Sequence, residues 1–69
     1  MEVVKLRDEF IKLGQALKAA GLVDSGVMAK DVIQNGEVQV NGEVDTRRGR
    51  KLYDGDEVLY QNQIIRIEK

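Results

Sequence analysis

The sequence contains no cysteine, histidine, tryptophan or proline among its 69 residues. Without cysteine and histidine the chain cannot form disulfides, thiolate or imidazole metal sites, or nucleophiles of the Cys-His or Ser-His kind. No stretch approaches the roughly 20 apolar residues that a membrane-spanning helix needs. The first residues also lack the basic start and the long apolar run of a secretory signal. We therefore expect a cytoplasmic protein without a membrane partner, whose core is held together by packing alone.

Neither sign of charge predominates, because 11 basic and 12 acidic residues leave a net charge of −1. The whole protein therefore offers no general attraction to nucleic acid. The hydrophobic fraction of 42% is typical of a globular chain, and we expect a single domain over residues 1–69. Local asymmetry appears at residues 47–51, here called the basic loop, where four of the five residues are cations: Arg47, Arg48, Arg50 and Lys51.

Apolar residues at helical spacing predict two short helices. The first precedes Gly21, and the second follows Ser25, a favourable N-cap residue, and ends before Asn35-Gly36. The spaced apolar residues are Leu13, Leu17, Ala20, Ala29, Val32 and Ile33.

The start of the first helix is ambiguous between Asp8 and Gly14. A start at Asp8 would enclose Gly14, at a cost of about 1 kcal/mol relative to alanine. We favour the later start, near Leu13 or Gly14. Residues 3–6 and 10–12 are then expected to be extended and to form a small hairpin about residues 7–9.

Glycine and asparagine mark the turns of the second half of the sequence. Asn41-Gly42 is a strong hairpin signal between residues 38–40 and 43–45. A turn at residues 53–56 precedes a strand at residues 57–60, and Gln61-Asn62 precedes a final strand at residues 63–67. The predicted class is α+β, with two short packed helices against a small, largely antiparallel sheet. The predicted core residues are Phe10, Leu13, Leu17, Ile33, Val38, Val40, Val58, Tyr60, Ile65 and Ile67.

The order of these elements and several spaced residues resemble the S-four domain, also called the αL RNA-binding motif. The residues that carry the resemblance are Leu13, Leu17, Gly21, Ser25, Ala29, Ile33, the run 36–42 and Gly55-Asp56. The runs 13–26 and 46–52 are similar to stand-alone bacterial members of the YaaA/YbcJ type. The resemblance implies a non-enzymatic domain that binds structured RNA, such as ribosomal RNA. It implies no cofactor, and we expect no metal site and no small-molecule substrate.

The chain departs from the wider family at two positions that are often basic. Lys12-Leu13-Gly14 stands where the family often has Arg-Leu-Asp, and Ser25-Gly26 stands where it often has Ser-Arg. Lysine keeps the charge but loses the bidentate fork of arginine, and glycine loses both. The helix pair is therefore expected to hold phosphate less firmly than in a typical member, and the basic loop is expected to compensate.

We predict that the basic loop is the main phosphate clamp and that Lys12 is a secondary contact. The candidate RNA-binding residues are Lys12, Lys18, Ser25, Lys30, Arg47, Arg48, Arg50 and Lys51. Ordinary solvent exposure explains Lys18 and Lys30 equally well, and Ser25 is also explained as a helix cap. The basic loop itself has an alternative interpretation as a solvated segment balanced by Asp45, Asp54 and Asp56.

Other functions remain open on the sequence. With few aromatic residues the chain lacks the stacking platform of single-strand binders. Tyr53 is expected to pack under the basic loop, and stacking on an unpaired base is the alternative role for it. A helix-turn-helix DNA reader would also have two short helices joined by a glycine-containing turn, although Gly26, Val27 and Met28 offer no side-chain hydrogen bonds to bases. An interaction adaptor in ribosome assembly is the alternative outside nucleic-acid binding.

Overall fold

The computed structural model describes residues 2–69, and these residues form seven strands and two helices. In chain order they are β1 (Glu2–Lys5), β2 (Ile11–Lys12), α1 (Leu13–Ala19), α2 (Gly26–Gln34), β3 (Val38–Val40), β4 (Glu43–Val44), β5 (Lys51–Leu52), β6 (Glu57–Tyr60) and β7 (Gln63–Glu68). The predicted α+β class, with two helices packed against a small sheet, is confirmed.

Five strands form the main sheet in the order β1-β7-β6-β3-β4. All neighbours in it are antiparallel except β1 and β7, which are parallel. The sheet is therefore largely antiparallel, as predicted. The short strands β2 and β5 form a separate antiparallel ribbon, in which Ile11 lies opposite Leu52 and Lys12 lies opposite Lys51.

The predicted hairpin about residues 7–9 is wrong. Its two extended segments do not pair with each other, because β1 lies beside β7 and β2 lies beside β5. Val4 is buried opposite Ile67 in the parallel pair, so β1 gains both a ladder of hydrogen bonds and burial at the edge of the main sheet. A hairpin formed by residues 3–6 and 10–12 alone would have only two strands and no buried apolar face, and such a hairpin is marginally stable in water.

Both helices follow the predicted bounds closely. Helix α1 begins at Leu13, as favoured, and Gly14 lies in its first turn. The Ser25 hydroxyl caps α2 by accepting a hydrogen bond from Met28 N at 3.1 Å. Each helix is followed, two residues after its last residue, by a glycine with positive φ, 75° at Gly21 and 79° at Gly36. These are left-handed positions that glycine occupies without a steric penalty.

The predicted hairpin turns are also confirmed. Asn41 and Gly42 have φ values of 51° and 88°, and Gln61 and Asn62 have values of 49° and 63°. Positive φ at both central residues matches the right-handed twist of the strands on either side. These two turns fix the register of β3 with β4 and of β6 with β7.

The core lies between the helix pair and the main sheet. Eight predicted core residues are at most 1% exposed, and Tyr60 is 2% exposed. These eight are Leu13, Leu17, Ile33, Val38, Val40, Val58, Ile65 and Ile67. Phe10 is the exception, since it is only half-buried, and Ile11 packs against the core in its place. Neither helix within residues 2–69 is long and apolar enough to cross a membrane.

Candidate nucleic-acid interface

The backbone of the basic loop holds the start of α1. Leu13 N donates to Arg50 O at 2.8 Å, and Gly14 N donates to Arg48 O at 3.1 Å. The first amides of a helix have no acceptor inside the helix, so the loop carbonyls supply the missing partners. Within the loop, Arg50 N donates a hydrogen bond to Arg47 O at 3.1 Å, which closes a turn over residues 47–50. The position of the loop relative to α1 is thereby fixed.

Gly14 brings the side chain of Arg48 against the first turn of α1. A Cβ atom added at Gly14 would lie 2.9 Å from Arg48 Cγ, closer than carbon atoms can approach. A side chain at position 14 would therefore displace Arg48. From the sequence, Gly14 indicates a helix penalty and a departure from the family's Arg-Leu-Asp, and nothing local indicates that a residue 34 positions later lies on it.

Asp45 holds the other two arginines of the basic loop. Its carboxylate is 6% exposed and accepts hydrogen bonds from Arg47 N at 2.9 Å, from Arg47 Nη2 at 2.8 Å and from Arg50 Nη1 at 2.8 Å. The Arg47 side chain, with a further contribution from Arg50, holds the pKa of Asp45 well below its usual range despite the opposing effect of burial. The Asp45 carboxylate in turn raises the pKa of Arg47.

The structure does not match the alternative interpretation of the basic loop, in which Asp45, Asp54 and Asp56 balance a solvated segment. Asp45 is buried rather than solvated. Asp54 and Asp56 have other hydrogen-bond partners. Asp56 accepts from Tyr53 N within the turn at residues 53–56, and Asp54 accepts from Lys69 N. Taken with Asp45, the basic loop carries three net positive charges.

Three of the candidate cations surround a groove of about 300 Å³, here called the cationic groove. Lys12 comes from β2, Lys18 from α1 and Arg48 from the basic loop. All three side chains are exposed, and within residues 2–69 none of them forms an ion pair. The remaining lining residues are Gly14, Gln15, Gly26, Ala29 and Gly49. The structure thus brings together cations that are up to 36 positions apart in the sequence.

The other candidate residues lie outside this groove. Arg47, Arg50 and Lys51 line an adjoining open depression of about 440 Å³, which shares Gly49 with the groove. The Ser25 hydroxyl is engaged as the α2 cap, and Lys30 is exposed one turn beyond Gly26 without lining the groove.

Tyr53 does not pack beneath the basic loop as expected. It is 48% exposed, and its ring lies 6.1 Å from the ring of Phe10, with an angle of 51° between the planes. Lys51 Nζ lies 4.8 Å from the centroid of the Phe10 ring. Phe10 and Tyr53 are far apart in the sequence, so the pair could not be recognised without the pairing of β2 with β5.

The helix pair and the small sheet have the arrangement expected of the αL motif. The family model described as the S4 domain matches residues 4–68, and the chain belongs to this family. One relative, from Bacillus subtilis 168, is RlbA, provisionally named as a ribosome maturation protein. It is 53% identical over 55 residues, which cover 80% of this chain and 78% of the relative. YbcJ of Escherichia coli K12, provisionally named as an RNA-binding protein, is 33% identical over 57 residues, or 83% of this chain and 81% of the relative.

Proposed function

We propose that this protein binds structured RNA, such as ribosomal RNA, through phosphate contacts in the cationic groove. It does so in the cytoplasm and catalyses no reaction. The observation that carries the proposal is the convergence of Lys12, Lys18 and Arg48 on one groove, in a chain whose net charge is −1. Membership of the S4 domain family and the RNA-related names of two relatives support it.

Within the basic loop, the proposal assigns the groove contact to Arg48. Arg47 and Arg50 share the Asp45 carboxylate, which neutralises part of their charge. Arg47 is nevertheless 71% exposed and keeps donors that Asp45 does not use. It therefore acts, with Arg50 and Lys51, as a second row of phosphate contacts in the adjoining depression.

The groove is suited to the backbone of RNA rather than to its base edges. Among residues 2–69, its lining contains three cations and one uncharged polar side chain, that of Gln15. Contacts to phosphate fix position and orientation without reading sequence. Recognition of a folded RNA by shape and phosphate position follows from such a surface, because the deep major groove of A-form RNA is closed to side chains.

A DNA-reading role for α2 is disfavoured by the side chains at its start. Gly26, Val27 and Met28 are exposed there, and Val27 is 71% exposed. None of them offers a side-chain hydrogen bond to the donors and acceptors of the major groove. A helix used for base readout would carry such groups in its first turn.

A competition titration tests the proposal. A labelled RNA hairpin bound to the protein is challenged with the same hairpin unlabelled, or with a DNA hairpin of the same sequence, at one fixed salt concentration. The RNA competitor is expected to displace the probe at a concentration at least about tenfold lower than the DNA competitor does. Equal or tighter binding of the DNA would contradict the proposal and favour the helix-turn-helix alternative.

A further inference from the structure

The ribbon of β2 and β5 has one buried and one exposed face. Leu52 is fully buried and its partner Ile11 packs against the core, so these two side chains mark the inner face. Side chains alternate along a strand, and directly opposed residues share a face. Lys12 and Lys51 therefore project together from the outer face.

Phe10 and Tyr53 continue this outer face by one further pair. Each lies just beyond the end of its strand and two positions along the chain from a lysine, and their rings are 6.1 Å apart. Two lysines and two aromatic rings thus form one surface, here called the aromatic-cationic patch: Phe10, Lys12, Lys51 and Tyr53. Lys12 also lines the cationic groove, so the patch is continuous with the groove.

The two rings have different roles within the patch. Phe10 is half-buried, and Lys51 Nζ lies over its ring at 4.8 Å, within the range of a cation–π interaction. The ring separation of 6.1 Å also falls in the range of aromatic pairs. Phe10 therefore supports both Lys51 and Tyr53, whereas Tyr53 remains 48% exposed.

An exposed aromatic ring beside two cations complements a flat ligand that carries negative charge. An unpaired nucleotide has both properties, because every base has a π-face that stacks on tyrosine and every nucleotide carries a phosphate. A partner protein would instead need acidic side chains against both lysines. The cation–aromatic pairing and the continuity with the groove favour the nucleotide.

We infer that the aromatic-cationic patch binds an unpaired nucleotide that adjoins the structured RNA, with its base stacked on Tyr53 and its phosphate held by Lys51 and Lys12. This inference rests on the proposed function and extends it from backbone contacts to one stacked base. It replaces the expectation that the chain lacks a surface for stacking. Any base can stack in this way, so the patch selects an unpaired position rather than a sequence.

The test uses three RNA hairpins with one common stem. The first hairpin has a blunt end. The second carries an extension of two unpaired uridines, and the third carries an extension of two abasic riboses that keep the phosphates. Each extended hairpin is made in two forms, one with the extension at the 5′ end and one with it at the 3′ end. The proteins are the wild type, Tyr53→Leu and Tyr53→Phe, each shown to be folded by circular dichroism. Phenylalanine keeps the ring, whereas leucine keeps apolar bulk without it.

For one of the two ends, the wild type is expected to bind the uridine hairpin about 5- to 150-fold more tightly than the abasic one, as loss of one stacked base predicts. Tyr53→Leu should abolish this difference, Tyr53→Phe should keep it, and affinity for the blunt hairpin should be the same in all three proteins. Equal binding of the uridine and abasic hairpins at both ends, or a preference that survives Tyr53→Leu, would overturn the inference and leave the proposed function intact. Failure to bind any of the hairpins would overturn both.

Discussion

The Asp45 carboxylate lies beneath the basic loop and accepts three hydrogen bonds from Arg47, one from its backbone amide and two from its guanidinium. A fourth hydrogen bond comes from Arg50. A cluster of like charges in the sequence is therefore, in the structure, a turn built around a buried counter-charge. The same turn presents the carbonyl oxygens of Arg48 and Arg50 to the start of α1. Asp45 thus supports the position of Arg48 without contacting it.

Replacing Asp45 with asparagine should destabilise the protein even though it removes a negative charge from a basic segment. The charge-assisted hydrogen bonds to Arg47 and Arg50 would be lost, at a cost of about 1 to 3 kcal/mol in the free energy of unfolding. RNA affinity should also fall, because the loop that places Arg48 loses its anchor. Chemical denaturation and an RNA titration measure the two effects.

Asp24→Asn makes the same change at an exposed carboxylate and should alter neither the free energy of unfolding nor the RNA affinity. Tighter RNA binding by Asp45→Asn would show that Asp45 acts only as an opposing charge.

The same ion pairs predict a pH dependence of stability. The pKa of Asp45 is lowered on folding, so the folded state binds a proton at this site less readily than the unfolded state does. The stabilisation is complete above the unfolded pKa of about 3.9 and is lost progressively as the pH falls below it. Denaturation measured between pH 6 and pH 2 should show that the free energy of unfolding falls more steeply with decreasing pH for the wild type than for Asp45→Asn. Parallel curves for the two proteins would contradict this assignment.

Gly14→Ala should weaken RNA binding without unfolding the protein. The added Cβ would meet Arg48 Cγ at 2.9 Å, so the arginine side chain must shift from its position in the cationic groove. Alanine is a better helix former than glycine by about 1 kcal/mol, which offsets part of the cost of this displacement. We expect a several-fold loss of affinity in a titration at low salt. In the background of Arg48→Gln the same change should have no further effect, and an equal loss in both backgrounds would show that Gly14 acts independently of Arg48.

Leu17→Ala should remove a large share of the protein's stability. Leu17 is fully buried in α1, and truncation of such a residue costs about 2 to 5 kcal/mol in the free energy of unfolding. Thermal or urea denaturation measures the loss. Val27→Ala shortens an exposed side chain in α2 and should change stability by no more than about 0.5 kcal/mol. Similar stabilities for the two variants would contradict the packing of the helix pair.

Features that depend on local chemistry could be predicted from the sequence. The Ser25 cap, the glycine ends of both helices and the Asn41-Gly42 turn each follow from the conformational preferences of one or two residues. The core positions followed from apolar periodicity in the same way.

Features that depend on which distant segments meet could not be predicted. The parallel pairing of β1 with β7 joins opposite ends of the chain, and Val4 alone does not indicate its partner. The apolar side chain of Phe10 predicts a core position, but beside the pairing of β2 with β5 it is only half-buried. The same limit applies to Asp45, whose burial beside Arg47 depends on the fold of the whole loop.

In the proposed function, a few convergent cations rather than overall charge attract RNA to this protein. Each phosphate contact contributes about 0.7 to 0.9 to the slope of log affinity against log salt. The test variant carries Lys12→Gln, Lys18→Gln and Arg48→Gln. The control variant carries three substitutions at residues that do not line the cationic groove: Lys5→Gln, Arg66→Gln and Lys69→Gln. Both remove two lysines and one arginine and lower the net charge by three.

The most direct measurement is the salt dependence of affinity for one RNA hairpin, compared among the wild type and these two variants after circular dichroism has shown that all are folded. The groove variant is expected to bind weakly and to have a slope shallower by about 2 to 3. The control variant should keep nearly the wild-type slope, because its substitutions remove no cation of the groove. It should also stay folded, because the surface ion pairs of Lys5 and Arg66 contribute little to stability. Equal slopes for the two variants would contradict the account, because RNA would then respond to total charge and not to the groove.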